Sequence, residues 1–148
     1  MARTKAVLKA LHREPVTLSR SMPGILVNRF HQAIYRESIY LIEQGVTTAE
    51  DINLAFKYLS MRYASIGVLE FFDDVGMELE TSISKIVYPS LCGAVDVQDY
   101  ITQKMADGKT GKNAGEGLLD WSKIDADDYR YRKQAAFFPT VKEWDMPE

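Results

Sequence analysis

Pro23-Gly24-Ile25-Leu26-Val27-Asn28-Arg29-Phe30 opens the longest helical pattern in the chain, and the reading of this stretch decides the fold. Pro23 suits the first turn of a helix, where its missing N–H is not needed. The pattern runs to Gln44 and stops at Gly45, a residue that readily takes the left-handed conformation of a helix cap. Projected at about 100° per residue, Leu26, Phe30, Ala33, Ile34, Glu37 and Leu41 share one face, so a carboxylate sits inside an apolar stripe. A buried carboxylate without a partner is costly, which predicts a structural ion pair between Glu37 and an arginine such as Arg29 or Arg62. Asn28 falls on the opposite face with His31, Gln32 and Tyr35. Such polar and aromatic company predicts a cleft or a contact surface there rather than core.

Downstream, Thr47-Thr48-Ala49-Glu50-Asp51 reads as a helix start in which Thr47 caps and Glu50 reaches back. The helix it opens carries Ile52, Ala55, Phe56 and Leu59 at helical spacing. Gly67 to Gly76 restarts and ends a short helix with Leu69, Phe71, Phe72 and Val75 apolar; another runs from about Glu80 to Tyr88 and stops at Pro89; Val97 to Ala106 is a further amphipathic helix. Helices in succession joined by short turns predict a helical bundle. Asp107 to Gly117 is a glycine-rich basic loop leading into Leu118-Leu119-Asp120-Trp121. It lacks P-loop spacing and no buried strand precedes it, so it reads as a structural turn, with ligand contact the lesser alternative. The last stretch is acidic from Asp125 to Asp128, basic and aromatic from Tyr129 to Lys133, and aromatic again at Phe137, Phe138 and Trp144. Aromatics so near a chain end predict a tail pinned to the body or to a second subunit.

Upstream, Thr4 to His12 reads as a short helix stopped before Pro15, since the residue preceding a proline is pushed out of the helical region. Val16-Thr17-Leu18 is a short β-type run. A lone strand cannot satisfy its own backbone, and nothing later alternates as a strand. Its partner is therefore expected on another chain, on a symmetry mate or in a part of the protein outside these residues.

Composition narrows the function. In 148 residues the hydrophobic fraction is 46%, the charged fraction 26% and the net charge −3, so no strong field nominates nucleic acid or an anionic membrane as a partner. Cys92 is the single cysteine and there are two histidines, which excludes an internal disulfide and offers no recognisable metal site. No apolar run approaches the roughly 20 residues that span a bilayer, and Met1 to Ala10 carries charges where a signal peptide needs an apolar core. The expectation is a cytoplasmic protein.

Pro23 to Arg29 followed by Arg36-Glu37, Glu43-Gln44-Gly45-Val46 and Ala49-Glu50-Asp51-Ile52 resembles the C-terminal domain of the 3-hydroxyacyl-CoA dehydrogenase family, of the 6-phosphogluconate dehydrogenase C-terminal-like type. Gly67-Val68-Leu69-Glu70 with Asp73 and Val75-Gly76-Met77 is similar to that family's Gly-Pro-Phe/Leu-Glu and Val-Gly-Leu-Asp segment. Lys109-Thr110-Gly111-Lys112-Asn113-Ala114-Gly115-Glu116-Gly117 is similar to its Gly-Lys-Lys-Thr-Gly-Glu-Gly loop. Val68 replaces the usual proline and Leu118 the usual aromatic. Arg62 to Ile66 leans toward members acting on smaller hydroxy acids, the gulonate dehydrogenase or λ-crystallin branch.

The resemblance implies an all-α domain, homodimeric through its helices, that closes the substrate cleft of a two-domain enzyme. The other domain, a Rossmann domain, binds NAD and carries the catalytic histidine. No Gly-x-Gly-x-x-Gly occurs near Met1, so NAD and the Rossmann domain are expected from a separate chain or from the rest of a longer one. The implied layout is a remnant of the Rossmann domain's last helix and strand at 1–21, the helical domain at 22–121 and a helical tail at 122–148. Asn28 carries over as the residue contacting the substrate's 3-oxygen and helping to hold the missing histidine, because an amide can donate to an oxygen that gains negative charge. The substrate is an acyl-CoA or a small hydroxy acid, and no activity is expected from this chain alone. The alternative is a non-catalytic dimerising or ligand-binding module.

Overall fold

A computed structural model describes residues 2–11, 13 and 15–135. Among them there are seven α-helices and no strand: α1 (Ala2–Ala10), α2 (Val27–Glu43), α3 (Ala49–Ile66), α4 (Val68–Val75), α5 (Met77–Val87), α6 (Asp99–Ala106) and α7 (Ala126–Ala135). The all-α expectation holds. Two compact units are formed, one from Met1–Val27 with Ser122–Glu148 and the other from Asn28–Trp121. The aromatic tail at Phe137, Phe138 and Trp144, and His12, lie outside the described residues.

In the first unit α1 matches the expected short helix, but Val16–Leu18 belongs to no strand. The physical reason is the one read from the sequence: a three-residue run has no ladder without a neighbour. Asp125 to Lys133 becomes α7, in which Asp125 Oδ1 accepts the Asp128 N–H at 2.7 Å, and Arg130 and Arg132 pair with Asp127 and Asp128 at 3.0 and 2.7 Å. Acids in the first turn and bases in the last both suit the helix dipole.

The helix α2, which leads into the second unit, begins four residues later than expected. Gly24 and Ile25 have φ of 78° and 50°, so Pro23 to Leu26 is a turn and α2 starts at Val27. Its end follows expectation: Gly45 has φ 64°, its N–H donates to Ile42 O at 3.0 Å, and the Val46 N–H donates to Leu41 O at 3.0 Å. That pair of bonds satisfies two of the last carbonyls. The cap of α3 is Thr48, one residue beyond the expected Thr47, and its hydroxyl accepts the Asp51 N–H at 3.2 Å while donating to the Asp51 carboxylate at 2.9 Å. Single glycines join α3 to α4 and α4 to α5; Gly67 and Gly76 have φ of 75° and 94°, and each donates its N–H back into the preceding helix. Tyr63, Phe71 and Phe72 cluster at the first junction with ring centroids 5.3 to 6.4 Å apart, and the Arg62 guanidinium lies 4.6 Å over Phe71.

Glu37 is half-buried, and its partner is not an arginine. Its carboxylate accepts the backbone N–H of Cys92 at 2.8 Å. Neighbouring groups do the same for the rest of the segment. Arg36 donates to Ala94 O at 3.0 Å, Gln98 donates to Arg36 O at 2.9 Å, and Glu43 accepts the Tyr100 N–H at 2.8 Å. Glu43 thus meets the positive first turn of α6, which starts at Asp99 rather than Val97 because Gln98 has left the helical conformation to act as its cap. The C-terminal half of α2 is the post to which residues 92–100 are tied.

The glycine-rich loop folds onto itself. Gly111 N–H donates to Glu116 O at 2.8 Å, Gly117 N–H to Leu119 O at 3.0 Å and Trp121 N–H to Gly115 O at 2.9 Å. A Cβ on Gly117 would lie 2.6 Å from the Gly111 Cα. Because the obstacle is backbone, Gly117→Ala is expected to cost about 2–3 kcal/mol, an overpacking penalty of the usual size. Thermal denaturation reads it as a lowered midpoint, and an unchanged midpoint would show that the loop does not close this way.

Candidate functional site

The face of α2 from His31 to Ile42 lines a cavity of about 1040 Å³ within the second unit, and Asn28, one turn nearer the helix start, is not among its lining residues. His31, Gln32 and Tyr35 border it, followed by Ser38, Ile39 and Ile42 deeper along the helix. The helix α3 supplies Ile52, Asn53, Phe56 and Ser60; α6 supplies Ile101, Lys104 and Met105; the glycine-rich loop closes one side with Lys112 and Leu118. The floor is apolar and the edge carries hydroxyls, an amide, an imidazole and ammonium groups. That is the usual make-up of a small-molecule or protein-docking cleft.

A cleft does lie on the His31–Tyr35 side, as expected, but the most buried side chain of α2 lies on that side too. Ile39, on the Asn28 side, is 1% exposed, whereas Phe30 and Ile34, on the stripe expected to be core, are 55% and 38% exposed. The helix has two apolar stripes, and what covers each is a long-range matter that periodicity does not contain. Asn28 is the second residue of α2 and is exposed. It borders the polar face at the end nearest the helix start. Tyr35, two turns further along the same face, has its phenol pKa raised by burial, so the ring remains a neutral donor at ordinary pH.

On the loop side Glu116 accepts from Lys109 at 2.7 Å and lies 3.5 Å from Lys104. The hydrogen bond to Lys109 holds the Glu116 carboxyl below the usual range and raises Lys109 above its own. For a lowered carboxylate the stabilisation is complete above the ordinary carboxylate range and is lost as pH falls through the folded value; for a raised lysine it is complete below the ordinary lysine range and is lost as pH rises through the folded value. Amide exchange of Gly111, whose bond partner is Glu116, is therefore expected to be slowest across the middle of the pH scale after correction for intrinsic exchange, and Glu116→Gln should flatten the acid limb. An unaltered acid limb in that variant would remove the ion pair from the loop.

The glycine-rich loop does not have the open amides of a phosphate cradle. The amides of Gly111, Ala114, Gly115 and Gly117 already donate to backbone carbonyls, so the loop cannot cradle a pyrophosphate, and no strand precedes it among the described residues. Among the described residues there is also no group of three or more His, Cys, Asp or Glu placed to hold a metal, and no helix is long and apolar enough to cross a membrane.

Residues 24–121 match the sequence model of the 3-hydroxyacyl-CoA dehydrogenase C-terminal domain. The chain belongs to that family. The sequence is 27% identical over 120 residues to 5-formyl-3-hydroxy-2-methylpyridine 4-carboxylate 5-dehydrogenase of Mesorhizobium japonicum, covering 80% of this chain and 39% of that protein. It is 38% identical over 71 residues to the λ-crystallin homolog of Rattus norvegicus, 47% of this chain and 22% of that one. To the L-carnitine dehydrogenase of Burkholderia mallei it is 25% identical over 103 residues, 60% and 32% of the two chains. The crystal structure of a 5-formyl-3-hydroxy-2-methylpyridine 4-carboxylic acid 5-dehydrogenase, an NAD+-dependent dismutase, superposes with a TM-score of 0.87 over 99% of this chain and 48% of that one at 22% identity, a likeness of fold. The 3-hydroxyacyl-CoA dehydrogenase domain thus spans less than half the length of the relatives it matches.

The sequence brought Asn28, His31, Gln32 and Tyr35 to one face. It did not bring Asn53, Ser60, Lys104 and Lys112 to the same cavity. Ile52 and Phe56, one turn apart, were the available signal for the α3 wall.

Proposed function

We propose that the chain is the substrate-side and dimerising half of an NAD-dependent dehydrogenase that oxidises a small hydroxy compound. The observation that carries the reading is the family match over 24–121, supported by a polar α2 face at His31, Gln32 and Tyr35 that opens on a cavity one turn below Asn28. Asn28 contacts the substrate's alcohol or carbonyl oxygen through its amide N–H and helps to hold the histidine of the other domain. NAD is bound by residues outside these 148, on a Rossmann-type domain of the same or a separate chain, since the glycine-rich loop is closed to it. The reducing cytoplasm suits a chain whose one thiol, Cys92, is free and buried.

A small hydroxy compound is favoured over an acyl-CoA because the relatives named above are a pyridine-carboxylate dehydrogenase, a λ-crystallin homolog and a carnitine dehydrogenase. The test is NAD reduction by this chain combined with its NAD-binding domain, across carnitine, gulonate, 3-hydroxybutyrate and 3-hydroxybutyryl-CoA. The expected result is a higher kcat/KM for one of the small compounds. A preference for the thioester would restore the acyl-CoA reading, and no turnover on any of them would favour a non-catalytic module.

A further inference from the structure

The α2–α3–α6 cleft carries charge of one sign. Lys104 of α6 and Lys109 and Lys112 of the glycine-rich loop border it, and among the described residues no aspartate or glutamate does. The whole chain leans the other way, with 21 acidic against 18 basic residues. The ammonium groups are also gathered. Lys104 and Lys109 lie 3.5 and 2.7 Å from the same oxygen of Glu116, and the Lys112 Nζ stands 5.7 Å over the ring of Trp121, itself a wall of the cleft.

One cation on Glu116 would be enough to clasp the loop. Lys109 at 2.7 Å serves that purpose, while Lys104 at 3.5 Å is held less tightly and its side chain is only 23% exposed. The other nearby carboxylate, Asp107, accepts from Gln103 at 2.9 Å and does not line the cleft. Positive charge is therefore left over at the loop side, and a part-desolvated ammonium is stabilised by an anion placed beside it.

The rest of the lining limits what the anion can be attached to. The floor is Ile39, Ile42, Ile52, Phe56, Ile101 and Leu118. A polyol chain would set hydroxyls against that floor without partners, at a cost for each. A ligand with a cationic centre would meet three ammonium groups and no carboxylate, which repels it. An acid with an aromatic or aliphatic body meets neither penalty.

We propose that the cleft selects a free hydroxy acid with an apolar body, its carboxylate on Lys104 and Lys112 and its ring or chain on the isoleucine and phenylalanine floor. This rests on reading the cleft as the substrate side of a dehydrogenase, and it names the substrate class: neither a polyol acid, nor a betaine, nor a CoA thioester. Lys109 keeps the loop closed by holding Glu116.

The experiment titrates the full chain at neutral pH and follows tryptophan fluorescence. The chain has two tryptophans, and Trp144→Phe leaves Trp121, on the cleft wall, as the reporter. The probes are 3-hydroxy-3-phenylpropionate, its methyl ester, carnitine and CoA. A saturable change with the acid is expected, with the ester at least about tenfold weaker, since a hydrogen bond to a charged group is worth that factor or more, and none with carnitine. Lys104→Gln and Lys112→Gln should each weaken the acid about tenfold. Lys57→Gln, exposed and off the cleft, should not. Glu116→Gln, which releases both ammonium groups, should tighten it. Equal binding of acid and ester, tighter binding of CoA than of the acid, no saturable change with any probe, or weaker binding in all three cleft variants would each overturn the proposal. None of these readouts involves NAD: lysine-dependent binding without turnover, once the NAD-binding domain is added, would sink the dehydrogenase reading alone, whereas turnover of the acid unaffected by either lysine variant would sink the carboxylate site alone.

Discussion

Asn28→Ala in the complete enzyme, this chain together with its NAD-binding domain, is expected to lower kcat about 10²–10³-fold, the usual cost of removing one donor to an oxygen whose charge changes in the reaction. The fold should not change. Asn28 is exposed at the second position of α2, so circular dichroism and the melting midpoint are expected to match the parent, and KM should move less than kcat. Normal turnover would take Asn28 out of the mechanism. A parallel loss of stability and turnover would make it a structural residue of the first helical turn.

Ile39→Ala is expected to produce the largest loss of stability, about 2–5 kcal/mol, by removing transfer energy and leaving a cavity. Ile39 is 1% exposed and lies on the wall between the cleft and the half of α2 that ties residues 92–100. Few other side chains are buried enough to compensate, and collapse around the hole would pull α2 toward α3 and narrow the cavity. Denaturant unfolding followed by circular dichroism checks it, with Ile39→Val, expected to cost about 0.5–1.5 kcal/mol, as the graded control. A loss below about 1 kcal/mol for the alanine variant would mean that the contacts around Ile39 do not hold the unit together.

The parts of the fold that were legible in the sequence are those governed by local chemistry. The stop at Gly45 and the breaks at Gly67 and Gly76 were readable because a left-handed backbone is where glycine is strongly favoured. The start of α2 was not, because Ile25 takes a positive φ that its side chain would ordinarily avoid. Nothing in the spacing announced it. Glu37 was recognised as needing a partner, yet the partner is a backbone amide 55 residues away, and backbone groups leave no mark on a sequence. The burial of Ile39 was not legible for a related reason: amphipathic patterns show which faces can be covered, and Ile34 and Ile39 both qualify.

The site divides the same way. Asn28, His31, Gln32 and Tyr35 lie within two turns of one helix, so their shared face was readable. The opposite walls come from α3, α6 and the loop, between 10 and 90 residues further on, and required the folded chain.

The measurement that bears most directly on the half-enzyme reading is NADH binding, followed by nicotinamide fluorescence, for the 148-residue chain alone and after addition of its NAD-binding domain. No saturable binding is expected for the chain alone, with binding and hydroxy-acid-dependent NAD reduction appearing together once both halves are present. Saturable NADH binding at micromolar concentration by the chain alone would contradict the account.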